Sequence, residues 1–265
     1  MGLDVNGVRF LLYSQSLGVD FSRTVMLGRQ ELHLARSELH RCFADFGYSA
    51  GEQSVDDVFS ASGGYAEPLF KKLGAAEVHS FDYSRYEGAS HAHDMNTRVP
   101  TSYKEQYTVV LDGGSLEHVF NFPVAVRNCM EMVKVGGHYL GISPANNFMG
   151  HGFYQFSPEL YFSVFTENNG YEILRMLAFE CRPHATWYEM RRPADIKQRV
   201  TMVNSLPVYL LLVAHRLKRV ESLAATPQQS DYVTTWERES VPSRAAMPPS
   251  PWAKLDPLVK TPKWA

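Results

Sequence analysis

The chain has little cysteine, little net charge and no long apolar run, and each shortage excludes something. Three cysteines, Cys42, Cys129 and Cys181, are spread through 265 residues. Odd in number and far apart, they argue against a disulfide framework or a zinc knuckle and fit a reducing cytoplasm, the compartment expected here. A formal net charge of -2 removes the electrostatic reason to expect a nucleic-acid partner. The most apolar window, Leu206 to Val213, is far too short to span a bilayer. MGLDVNGVRF lacks the basic start and apolar core of a signal peptide. No Gly-x-Gly-x-x-Gly fingerprint opens a helix, which disfavours an ordinary dinucleotide binder.

What is present is an alternation of strands and helices. Val25-Met26-Leu27, closed by Gly28, reads as a strand buried on both faces. Val78 to Phe81, Ala89 to His93, Tyr107 to Leu111, His138 to Ile142, Tyr171 to Phe179 and Val208 to His215 supply further strands. Helices are expected over Val5 to Leu17, from Ser37 to Gly47, over Glu67 to Leu73 and from Pro123 through Val133 to about Gly136. Two more are expected, from the Ser157-Pro158-Glu159 cap to Gly170 and from Ala194 to Asn204. Tyr48 to Gly64 is polar and reads as loop or insertion.

This alternation indicates an open α/β sheet with mostly parallel strands. We divide the chain into an N-terminal helical segment (1–23), a Rossmann-like domain (24–221) and a tail (222–265). The tail holds seven of the fifteen prolines and three of the four tryptophans, Trp236, Trp252 and Trp264. Such a composition rarely builds its own core, so the tail is expected to dock on the domain, a partner or a second subunit.

Ligands of open α/β sheets sit beyond the carboxyl ends of the strands. Three strands here end in an aspartate: Asp82, Asp94 and Asp112. A carboxylate at such a position accepts from both hydroxyls of a ribose. Capping of the next turn is the other reading for each of them.

The blocks LGAAEVHSFDYSRYEGASHAHDMN and YTVVLDGGSLEHVFNFPVAVRNCMEMVKVGGHYLGISPANNF resemble the core of class I S-adenosylmethionine-dependent methyltransferases. LDGGSLEHV resembles the segment after that family's fourth strand. PVYLLLVAHRL resembles its antiparallel last strand. The resemblance implies S-adenosylmethionine as cofactor and a sheet with helices on both faces. It places Asp82 on the ribose with Tyr83 and Ser84 beside it, Asp94 on the adenine amino group with Met95 against the ring, and Asp112 and Gly113 at the methionine end. Gly113 and Gly114 read equally as a tight turn.

The family's glycine-rich loop is reduced in this sequence. The usual spacing lands on Ser62-Gly63-Gly64, whereas the better strand leaves Gly28, Arg29 and Gln30 as the cofactor loop. Gly28 is the preferred choice. Glu117 and His118 are the candidates for a general base, with a helix-face histidine as the alternative for His118. Asn147, His151 and Tyr154, in the aromatic loop ANNFMGHGFYQFSP, are the candidate substrate contacts. No closed Cys or carboxylate pattern supports a metal, and none is expected. The acceptor is expected to be a small molecule, a glycan or a lipid-linked precursor. The alternative is a non-catalytic methyltransferase-like protein that binds a metabolite or a partner enzyme.

Overall fold

Val25, Met26 and Leu27 are fully or almost fully buried, because the strand that carries them, β2 (Arg23–Leu27), lies in the middle of a sheet covered on both faces. The computed structural model describes residues 2–48, 52–60, 63–196, 199–230, 232–233 and 259–260. The chain opens with a two-residue strand, β1 (Gly2–Leu3), and helix α1 (Val5–Ser16), whose first turn is capped by the Asp4 carboxylate on the Asn6 and Gly7 N–H groups. After β2 come β3 (Glu31–Leu32), α2 (Arg36–Asp45), α3 (Glu52–Ser60) and α4 (Glu67–Lys72). There follow β4 (Glu77–Asp82), β5 (His91–Ala92), β6 (Tyr107–Asp112), α5 (Phe122–Met132) and β7 (Val133–Pro144). The last part holds α6 (Pro158–Val164), β8 (Tyr171–Glu180), β9 (Tyr188–Glu189), α7 (Pro193–Ile196), β10 (Val208–Arg216) and β11 (Val259–Lys260).

The sheet order is β11-β9-β8-β10-β7-β6-β2-β4-β5. β5, β4, β2, β6 and β7 run parallel, and β10 is antiparallel to both β7 and β8. This is the Rossmann-like arrangement with an antiparallel last strand. Alternate residues of each strand feed two cores. Met26, Val109, Leu111, Leu140 and Leu211 join α1 to α4 on one face. Val25, Leu27, Val110, Tyr139 and Leu210 join α5 and α6 on the other. Order reverses between β2 and β6, and the crevice beyond that junction is the switch point where ligands of such sheets bind.

Four expectations are corrected. Residues 52–60, expected to be loop, form α3, which buries Val55 and Val58 and leaves Asp56 and Asp57 in solvent. A run with apolar residues three apart suits a helix face better than a strand. Val133 leaves α5 for the sheet, pairing with Tyr107, and the KVGG that follows is a bulge because Val109 next pairs with His138. α6 stops at Val164, whose carbonyl accepts from the Asn169 side chain, and a separate 3-10 turn carries the chain to Gly170. Of the helix expected from Ala194 to Asn204, the described residues show Pro193–Ile196 as helix and residues 199–204 as non-helical. Beyond it the carbonyls of Met202, Asn204 and Leu206 accept from the Asn146 and Asn147 amides, which draws that segment to the loop after β7.

The tryptophans of the tail lie outside the described residues. Its first part rests on the domain: the Ser230 N–H and hydroxyl donate to the two oxygens of Glu159, and Leu223 N–H donates to Asn169. No helix among the described residues is long and apolar enough to cross a membrane.

His138 on β7 gives a test of the packing. It is buried, its ring stacks 4.8 Å from that of His215, and its Nδ1 has no partner. Burial and the neighbouring His215 push its pKa from 6.5 down to about 4. A folded-state pKa below the unfolded one gives stability that is present above the unfolded value and is lost as pH falls towards the folded one. Chemical denaturation is therefore expected to show about 2 kcal/mol lost between pH 7.5 and pH 5 through this group. The loss should shrink by that amount in His138→Leu. An unchanged pH slope in the variant rules out His138 as the source.

Candidate functional site

Gly28 follows β2 directly and has φ +66°, which favours glycine. Its N–H donates to the Phe81 carbonyl of β4 at 2.7 Å, so the chain turns sharply over the strand end. The next two side chains then fill the crevice mouth. Arg29 stacks on the Tyr65 ring at 3.8 Å, pairs with Glu67 at 2.6 Å and donates to the Glu87 carbonyl at 2.9 Å. It thus bridges from β2 to the loop after β4. Gln30 is fully buried and donates from its amide to the Leu27 and Gly28 carbonyls, at 2.9 and 3.3 Å. Its Oε1 is buried without a partner.

The two glycine segments that the sequence offers as alternatives meet here. Leu32 N–H donates to the Gly64 carbonyl at 2.8 Å, Ala66 N–H donates to the Gln30 carbonyl at 2.9 Å, and Glu31 bridges Tyr65. Gly28 to Leu32 and Gly63 to Ala66 therefore form one two-part loop, with α2 and α3 inserted between its halves.

Across the junction, Asp112 ends β6 fully buried. Its carboxylate accepts from Ser115 N–H at 2.8 Å, Leu116 N–H at 3.2 Å and the Tyr139 hydroxyl at 3.1 Å. The turn so formed sends the Ser115 hydroxyl to the Leu27 carbonyl at 2.6 Å, tying the two sides of the switch point together. Gly113 is required by a close approach: a Cβ there would lie 2.6 Å from Gln30 Oε1.

The other acids differ in environment. Asp82 is half-buried at the end of β4, and its carboxylate has no partner among the described residues. Tyr83, 78% exposed, and Ser84 follow it into solvent. Asp94 accepts from the Asn96 N–H and side-chain amide, at 2.9 and 2.8 Å, and these bonds hold its carboxyl below the usual range. Met95 is buried in the α5-side core.

Glu117 and His118 lie on a 3-10 turn (Leu116–His118) held by Asp112. Glu117 is fully buried, and neither carboxylate oxygen has a hydrogen-bond partner. Burial, and secondarily the charge of Asp112, push its pKa upward; burial also raises that of Asp112 against its hydrogen bonds. His118 is exposed, with its pKa lowered by partial burial and by His151. The loop after β7 folds onto this turn. Phe153 N–H donates to the Glu117 carbonyl at 2.7 Å, and His151 Nε2 lies 3.5 Å from Glu117 Oε1. The His118 and His151 ring centroids are 5.0 Å apart.

The remaining candidate substrate residues are engaged with the protein. The Asn147 amide donates to Asn204 and Leu206, and the Tyr154 hydroxyl donates to the Phe120 carbonyl at 2.6 Å. A cavity of about 370 Å³ lies nearby, lined in part by Asn146, Asn147, Gln155, Phe156, Met190 and Met202. Sequence reasoning missed Ser115, Tyr139, Tyr65 and Glu67, whose contacts are long-range. It also missed Gly152, where the Gly150-His151-Gly152 pattern was the available signal.

No family model and no curated protein matches the chain. Solved structures resemble it weakly. An S-adenosylmethionine-dependent methyltransferase of Thermotoga maritima is 11% identical, with 78% of this chain and 88% of that one covered and a TM-score of 0.41. The Burkholderia thailandensis 1,6-didemethyltoxoflavin-N1-methyltransferase, solved with 1,6-didemethyltoxoflavin and S-adenosylhomocysteine, is 12% identical over 81% of this chain and 78% of its own, with a TM-score of 0.41. TehB from Haemophilus influenzae is 12% identical over 78% of this chain and 61% of its own, at 0.38. Likeness of this degree assigns the chain neither a family nor a substrate.

The contact between Gly113 and Gln30 yields a double-mutant test. Gly113→Ala is expected to cost about 1–3 kcal/mol through overpacking. In a Gln30→Ala background that cost should fall by at least about 0.5 kcal/mol. Strict additivity in urea denaturation would show that the two side chains do not compete for this space.

Proposed function

We propose that the chain is an S-adenosylmethionine-dependent methyltransferase acting on a small molecule, with glycan and lipid-linked precursors among the acceptors that fit. The observation that carries this reading is the presence, on the β2–β4 side of the switch point, of two acceptors with no donor among the described residues: the buried Gln30 Oε1 and the half-buried Asp82 carboxylate. In S-adenosylmethionine the amino-acid ammonium at one end and the ribose diol in the middle are donors of the kind these two acceptors take. Gly28 turns the chain over the strand end beside this crevice, and Gly113 leaves the space that the Gln30 side chain occupies. Asp94 retains a carboxylate oxygen for an adenine amino group, with Met95 beneath it.

The cofactor supplies a sulfonium-activated methyl group, so the protein's task is alignment. Gln30 is assigned to the cofactor's ammonium, Asp82 to its ribose and Asp94 to its adenine. The turn of Glu117 and His118 and the loop bearing Asn147, His151 and Tyr154 form the acceptor side, with His118 the nitrogen base open to solvent. Asp112 positions that turn rather than contacting ligand. Three free cysteines, two of them buried, fit a cytoplasmic setting, and the tail is a candidate contact for a partner or second subunit.

A non-catalytic metabolite-binding role is the second reading, favoured by Arg29, whose guanidinium spans the crevice mouth. Calorimetric titration of the full chain with S-adenosylmethionine and S-adenosylhomocysteine separates the two. Both ligands are expected to bind, and Asp82→Ala should weaken each at least about tenfold, the worth of a charge-assisted hydrogen bond to the diol. A folded chain that ignores both at millimolar concentration leaves only the second reading.

A further inference from the structure

Glu117, His118 and His151 form the one group of three potential metal ligands among the described residues, their donor atoms all within 4.8 Å of one another. Adjacent positions on one turn supply two of the donors, and a separate loop, folded over that turn, supplies the third. A tetrahedral ion with bonds of about 2.0–2.1 Å sets neighbouring donors roughly 3.3–3.4 Å apart. His151 Nε2 and Glu117 Oε1 are already 3.5 Å apart. The exposed His118 ring closes the remaining distance by side-chain rotation.

Independent of that spacing, Glu117 is a carboxylate with no access to solvent and no hydrogen-bond donor on either oxygen. A buried carboxylate normally finds a donor or a cation. The backbone around it is also shaped to this side chain. A Cβ at Gly114 would sit 3.3 Å from Glu117 Oε1, and a Cβ at Gly152 would meet the Glu117 carbonyl at 2.8 Å and its Cγ at 3.1 Å. Gly152 has φ +75°, so glycine there answers both the conformation and the close approach. That approach is what brings His151 onto the carboxylate.

We propose that Glu117, His118 and His151 bind a divalent transition-metal ion through two imidazoles and one carboxylate. Three protein ligands leave a coordination position open, as in metal sites that engage a substrate. The turn and loop that hold the ion are those assigned to the acceptor side, so an oxygen or nitrogen donor of the acceptor is the further ligand this proposal gives it. That last use rests on the proposed methyl transfer; metal binding itself does not. With metal bound, His118 is a ligand and no longer a proton acceptor.

The test is Zn²⁺ binding by the full chain after EDTA treatment, without S-adenosylmethionine, by calorimetry and by competition with a chromophoric chelator. One ion per chain is expected, with Glu117→Gln, His118→Ala and His151→Ala each weakening it at least about tenfold through loss of one ligand of three. His93→Ala, remote from the group, should bind like the parent. Co²⁺ should give visible absorption bands that His151→Ala removes. His118 is exposed and the His151 side chain is 44% exposed, so their variants keep the test open if Glu117→Gln fails to fold. No binding at about 100 µM Zn²⁺, far above ordinary site affinities, or binding that all three variants leave unchanged, overturns the proposal. Because no cofactor is present, failure here leaves the methyltransferase reading intact, and failure of that reading leaves a positive result here standing.

Discussion

The site depends on the Asp112 carboxylate. It ends β6, next to the central parallel strand, with no solvent to satisfy it, and its two oxygens take their donors from the turn ahead and from Tyr139 on the neighbouring strand. Burying such a group is costly unless the donors are in place. That requirement fixes the 113–118 turn against the sheet. Three consequences meet at this point: Gly113 faces Gln30, Ser115 ties across to Leu27, and Glu117 and His118 are delivered to the acceptor side.

Much of this was legible in the sequence because the central strands are buried on both faces and read as continuous apolar runs. Val25 to Leu27, Tyr107 to Leu111 and Val208 to His215 all fall within strands. The strand-end aspartates followed from the same runs. Where competing contacts decide local structure, the sequence is silent. The KVGG bulge exists because β7 must shift register against β6, and residues 202–206 stay out of a helix where their carbonyls serve the Asn146-Asn147 loop. Neither pressure leaves a local signal.

The same limit applies to the site. Asp82, Asp112 and Gly28 were recognisable from position alone, since strand ends define the crevice. His151 and Glu117 are 34 residues apart in the chain and touch because a left-handed glycine lets one backbone lie on another. A choice between Gly28 and Gly63-Gly64 also could not be made from spacing. The fold dissolves that choice by pairing the two segments.

That pairing has a consequence for how the chain tolerates change. The excursion carrying α2 and α3 leaves and re-enters at hydrogen-bonded neighbours, Leu32 with Gly64 and Gln30 with Ala66. Its ends are fixed at the base, so altered length adds only slowly growing closure entropy. The excursion is therefore positioned like a graft on a stem. A change in its length is thus felt first by the core that α2 and α3 share with α1, and only then by the backbone facing the crevice.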